Sequence, residues 1–212
     1  VKITGAIATS GGGAGVNAIG SQIDMIKVVM TDVVSSQSGG ALNFNLCQVT
    51  IIDSMFKQCG VEGGERTFGG AIALYTRSRC SLTKTIFKEN YAADAGGAIV
   101  CDGCAELRIL KSTFDSNKAG AGGAVALFGA KGGKVAIIDP DTAFINNSAL
   151  SSGGGAIYWQ LFPPNIDETH GNKRLNSGVY GDFLASSPMS IQLQTSLLSN
   201  ETSLTATNTM PF

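Results

Sequence analysis

Charge is scarce in this chain. Only 15% of the 212 residues are Asp, Glu, Lys or Arg, and with the histidine neutral they sum to −1 at pH 7. A balance so close to zero leaves no footprint for nucleic acid and no steering of strongly acidic partners. His170 is the sole histidine, and Cys101-Asp102-Gly103-Cys104 has no second CxxC or His pair to complete a metal site. No Gly-Lys-Ser/Thr occurs, so a phosphate-cradling loop is excluded. Gly11-Gly12-Gly13-Ala14-Gly15 lacks the spacing, the following helix and the acidic residue of a dinucleotide loop. No apolar run is long enough to span a bilayer. No signal peptide precedes Val1, so the chain is expected to be mature, processed or a fragment.

What the chain has is glycine, 28 residues of it, and much of it recurs in one phrase. Gly-Gly-Ala followed by an apolar run appears at Gly39, Gly69, Gly96, Gly122 and Gly154, with a degenerate copy, Gly12-Gly13-Ala14, before them. From that copy onward the first glycines are 27, 30, 27, 26 and 32 residues apart. A second phrase keeps the same time: Phe87-Lys88-Glu89-Asn90, Phe114-Asp115-Ser116-Asn117 and Phe144-Ile145-Asn146-Asn147. Phe56-Lys57-Gln58-Cys59 and Met30-Thr31-Asp32-Val33 are variants of it. Two phrases sharing one period mark a repeat architecture.

Each repeat lacks a helical period and reads as short strands between turn residues. The residue three before each Phe or Met is charged: Lys27, Asp53, Lys84, Lys111, Asp141. That column should face solvent while its alternating neighbours face inward. Too few residues for a propeller blade leave an all-β fold, a single-stranded right-handed parallel β-helix of about six coils. Gly-Gly then marks a corner needing positive φ and no Cβ, with Ala tucked inside it. Phe points inward and stacks on its neighbours. Asn fits a turn through its tolerance of left-handed conformation, and stacked asparagines can form an amide ladder. In the first repeat Ile23, Met25, Val28 and Met30 are the inward candidates. Gly60–Thr67 and Gly129–Gly133 read as surface insertions.

GGA[ILV] paired with FxxN resembles the repeats of chlamydial polymorphic outer-membrane proteins, whose passenger regions are β-helical adhesins. It is also similar to protist surface proteins that look like pectin-lyase-fold chains without lyase residues. The resemblance covers roughly residues 10 to 182, with departures at Cys59 and Val33, and implies a surface adhesin.

Five cysteines make an odd count. Neighbouring coils bring Cys47, Cys80 and Cys104 to similar registers, which favours a Cys80–Cys104 bridge. Cys101–Cys104, within one turn, is the alternative. Asn146-Asn147-Ser148 and Asn200-Glu201-Thr202 are N-glycosylation sequons, and the last thirty residues are rich in Ser and Thr. Both features suit secretion.

The expected domains are a β-helix over 1–182 and a Ser/Thr-rich extension over 183–212. Within the extension, Met189–Leu193 alternates like a strand that pairs with this or a neighbouring chain. No catalytic, cofactor-binding or metal-binding residue is expected. The excursion Gln160–Arg174 holds Asp167, Glu168 and His170, but no second positioned group to make a general base of them. The expected function is a non-enzymatic extracellular structural or adhesive glycoprotein in a surface filament or coat. Its partners would be copies of itself or a longer β-helical chain, and glycans, joined by end-to-end or tail-mediated contacts. The alternative is a carbohydrate-active β-helix enzyme using Asp115, Asp139 and Asp141.

Overall fold

The computed structural model describes residues 1–63, 67–129, 136–166, 173–186, 192–195 and 202–205. Among them there is no helix. One coil shows the plan. Ile86–Lys88 lies in the first sheet, Tyr91 bridges in the second, Ile99–Asp102 lies in the third and Glu106–Leu110 in the fourth. Each strand pairs in parallel with its equivalents one coil before and one coil after: Phe87 with Phe56 and Phe114, Cys101 with Leu74 and Leu127. The first and third sheets have seven strands each and the fourth has six. The chain is a parallel β-solenoid of six full coils and most of a seventh.

Alternation decides which side chains enter. In Arg79–Thr83 the buried residues are Cys80 and Leu82, and in Glu106–Leu110 they are Leu107 and Ile109. Strands after Gly-Gly instead read apolar at nearly every position, because both faces are covered. Leu74 and Ile72 point into the solenoid. Ala73, Val100 and Ala126 lie outside it, packed under Ala95, Phe68 and Phe128.

Four corners close each coil, and left-handed residues recur at all four. Lys27, Asp53, Lys84 and Lys111 (φ 48–53°) enter the first sheet, and Asp32, Gln58, Glu89, Ser116 and Asn146 (φ 53–58°) leave it. Leu46, Thr76, Gly103 and Gly129 (φ 39–67°) lie between the third and fourth sheets. The remaining corner belongs to the Gly-Gly pair. Gly39, Gly69, Gly96, Gly122 and Gly154 take φ of 58–73°, and a Cβ on Gly96 would lie 2.3 Å from the Ile99 carbonyl oxygen. The second glycine has a different reason: a Cβ on Gly97 would lie 2.2 Å from the Gly123 oxygen of the next coil. Ala41, Ala71, Ala98, Ala124 and Ala156 are fully buried beside it.

The aromatic column stacks as the repeat implies. Ring centroids are 5.2 Å apart for Phe56–Phe87 and 4.8 Å for Phe87–Phe114 and Phe114–Phe144, with planes within 9° of parallel. The asparagine column corrects one expectation. The left-handed residue is the one before each asparagine, while Asn90, Asn117 and Asn147 turn inward and are fully buried. Asn90 Nδ2 donates to Asn117 Oδ1, Asn117 Nδ2 to Asn147 Oδ1 and Asn147 Nδ2 to Asn176 Oδ1, all at 2.9 Å. The second Nδ2 hydrogen of each reaches the phenylalanine carbonyl of the preceding coil, as from Asn117 to Phe87 at 3.0 Å. Each Oδ1 also accepts the backbone amide of the previous column residue, as from Asn90 at 3.0 Å. The ladder is real and fully bonded, so burying these amides leaves no polar atom unpaired.

Other expectations shift by small amounts. Val16 pairs with Leu42, so Gly13-Ala14-Gly15, not Gly12-Gly13-Ala14, occupies the first Gly-Gly-Ala position. Gly60–Val61 is a strand paired with Val34–Ser35 rather than the start of an insertion. The third sheet continues to Ser186, past the expected boundary at 182, because Leu184–Ser186 pairs with Ile157–Trp159. Beyond it, Gln192–Thr195 pairs antiparallel with Thr202–Thr205.

Candidate functional site

The expected disulfide is overturned. Cys101 bonds Cys104, with Cα atoms 5.4 Å apart, and Cys80 is free and buried. Gly103, at φ 67°, folds the three-residue step back on itself. Cys80 instead pairs in register with Val49 and Leu107 and serves as a core residue. Burial alone pushes its thiol up to about 12. Cys59 is raised as far, first by burial and then by Asp32, against hydrogen bonds from the Val33 and Lys57 backbone. Neither is poised as a nucleophile.

Asn146 is exposed at the corner leaving the first sheet, while its neighbour Asn147 is buried in the ladder. Asn200, His170 with Asp167 and Glu168, residues 130–133 and most of the Ser/Thr-rich tail lie outside the described residues. Two of the three carboxylates of the enzyme alternative are engaged in backbone and surface contacts. Asp139 accepts the Lys111 amide at 2.9 and 3.0 Å and the Thr142 hydroxyl at 2.6 Å, closing a corner. Asp115 pairs with Lys88 at 3.5 Å. The charged column behaves as expected: Lys27, Asp53, Lys84, Lys111 and Asp141 are all exposed.

Two surfaces stand out. The first is the leading edge of the solenoid. Lys2–Thr4, Ile7–Ala8, Val16–Ile19 and Gln22–Ile26 each pair on one side only among the described residues. Ile7, Ile19 and Ile26 are 74%, 70% and 58% exposed there. The other end is built differently. Gly181-Asp182-Phe183 takes the Gly-Gly-Ala place, and the Phe183 ring stands edge-on 5.7 Å from Phe144, below Lys173 Nζ.

The second surface is a cleft of about 630 Å³ at the corner between the third and fourth sheets, lined by Tyr75, Arg77, Arg79, Asp102 and Cys104. Sequence reading passed over it. Its one signal was length: four residues step from Tyr75 to Arg79 and from Asp102 to Glu106, against three from Asn45 to its partner Gln48. Burial raises the Tyr75 phenol, Asp102 raises it further, and a hydrogen bond with Ser38 opposes them.

The same columns appear in a known repeat. Residues 84–102 and 141–158 fit the Chlamydia polymorphic membrane protein repeat. Two segments of the chain match that repeat. Each matched segment runs from a charged corner through Phe and Asn to Gly-Gly-Ala and the third-sheet strand, so the polymorphic membrane protein repeat coincides with the stack, the ladder and the glycine corner. Outer-membrane and surface proteins bear this repeat, and cell-surface association is the setting consistent with it. No curated protein and no solved structure matches the chain.

Proposed function

We propose that this chain is a non-enzymatic structural and adhesive solenoid of the extracellular cell surface, assembled with copies of itself or with a longer β-helical chain. The observation that carries the assembly is the leading edge. Among the described residues four strands there pair on one side only, beside Ile7, Ile19 and Ile26, and such an edge templates further pairing. Lys173 and Phe183 alter the cross-section at the opposite end, so contacts through the leading edge or the tail fit better than unaltered stacking. The repeat match supports the surface setting, and exposed Asn146 in its sequon supports a glycoprotein. The engagement of Asp139 and Asp115 supports a role without catalysis.

Light scattering and electron microscopy of the purified chain test the assembly. Concentration-dependent oligomers that dissolve in Ile7→Lys/Ile19→Lys are expected. Monodisperse monomers at high concentration would overturn it. Turnover of a polysaccharide that disappears in Asp139→Ala would overturn the non-enzymatic reading.

A further inference from the structure

We propose that the cleft at Tyr75, Arg77, Arg79 and Asp102 binds an acidic polysaccharide, a chain whose sugars carry carboxylate or sulfate groups. The site gives the adhesive reading a ligand and rests on that reading only for its setting at the cell surface.

The cleft exists because two neighbouring coils carry an extra residue at the same corner. Thr76 and Arg77 bulge outward in one, and in the next Gly103 turns the chain around buried Cys104. The bulge is held firmly. Arg77 N donates to the Gly103 carbonyl at 2.7 Å, the Ser78 hydroxyl donates to the Tyr75 carbonyl at 2.6 Å, and the disulfide fixes the facing corner. A ligand entering such a site does not have to order it first.

The chemistry on its walls is selective. Arg77 and Arg79 are exposed, and among the described residues neither guanidinium has an ion-pair partner. Glu106, beside Arg79 in register, is engaged by Arg108 at 3.3 Å. A guanidinium fork matches the paired oxygens of a carboxylate or sulfate. The half-buried Tyr75 ring offers an apolar face with a polar tip, a surface on which a sugar ring can lie. Asp102 can accept sugar hydroxyls, and it disfavours a polyphosphate, which has none to give.

The test measures binding of the whole chain to size-defined heparin and polygalacturonate oligosaccharides, which separate the sulfate and carboxylate sources. Neutral dextran and single-stranded DNA are the comparisons. One or both acidic glycans should bind, and dextran should not. Arg77→Gly and Arg79→Gln should each weaken binding about tenfold. Arg77→Gly keeps the corner intact, because φ there is 58°, which glycine adopts without strain. Lys88→Gln on the first sheet removes one positive charge elsewhere and should change affinity less than about twofold. Absent binding, unchanged affinity in the arginine variants, or equal DNA binding lost in the same variants would each overturn the site. If glycan binding is absent while the protein still adheres to cells, the site falls and the surface reading stands. Glycan binding without adhesion leaves the site and removes the surface reading.

Discussion

The middle coils and the two ends occupy the same columns with different residues. From Phe56 to Phe144 the core column is an unbroken stack of parallel rings. At the leading end Met30 takes the ring's place, and Cys59 and Val33 take the asparagine's. At the trailing end Lys173 aligns with Phe144, and Phe183 covers the stack from the alanine column. A repeat residue is required only where a coil lies on both sides of it. Cβ-free glycine is needed because the next coil's carbonyl is in the way, and an amide is needed because amides above and below must be paired.

The largest expected contrast breaks the ladder in its middle and at its end. Asn117→Ala strands the Asn90 amide, Asn90 Nδ2 and the Phe87 carbonyl in a buried site, and should lower stability by about 4 kcal/mol. Asn176 is itself half-buried at the ladder's end, so water can reach the Asn147 groups that Asn176→Ala releases, and the loss should be about 1 kcal/mol. Denaturant titration of both variants checks the pair. Equal losses would mean that position along the column is irrelevant.

The glycine column gives the next contrast. Gly97→Ala drives a Cβ into the Gly123 carbonyl of the following coil and should lower stability by about 3 kcal/mol. Asp182→Gly, at the aligned position of the last described coil, should change it by less than about 1 kcal/mol. Thermal denaturation reads both.

These columns explain what the sequence could reveal. Phe, Asn and Gly-Gly-Ala were legible because one physical demand recurs at a fixed period. The left-handed residue before each asparagine was hidden, since Asp32, Gln58, Glu89, Ser116 and Asn146 share a conformation and no chemistry. So was a hydroxyl column. Ser54 Oγ accepts the Val28 amide, Ser112 Oγ the Thr85 amide and Thr142 Oγ1 the Ser112 amide, at 3.1–3.3 Å, each hydroxyl one residue after the charged corner. The cleft was illegible because it arises from one extra residue in each of two corners. The Cys80–Cys104 expectation failed on register: Cys80 pairs with Leu107, three residues past Cys104.

Burial also separates the cysteines from an unfolded reference, and pH exposes the difference. The folded thiols of Cys59 and Cys80 are raised from 9.0 to about 12, so the fold favours the neutral form. Their contribution is fully present below pH 9 and is lost as pH rises from 9 towards 12. Stability should fall by about 1 kcal/mol per thiol between pH 9 and 10. Cys80→Ala should make the slope shallower over that window in urea titrations. An unchanged slope would show that the Cys80 thiol does not titrate differently on unfolding.

The smallest effect sharpens the comparison in the opposite direction, by extending the middle into the end. At Cys59 the ladder stops: Asn90 Oδ1 takes the Cys59 amide at 3.0 Å and no side-chain donor from that coil. The thiol's contacts to carbonyls are long, 3.7 Å to Met30 and 3.6 Å to Lys57. Cys59→Asn would place one Nδ2 hydrogen on Asn90 Oδ1 and the other on the Met30 carbonyl, as Asn90 Nδ2 already reaches Phe56 at 3.1 Å. The Val33 amide, which now meets sulfur, would meet Oδ1. With all its groups paired, the substitution should raise stability by about 1 kcal/mol and remove the alkaline slope of that thiol. A loss of stability would show that the first coil departs from the spacing of the middle ones, and that Cys59 is there because an amide does not fit.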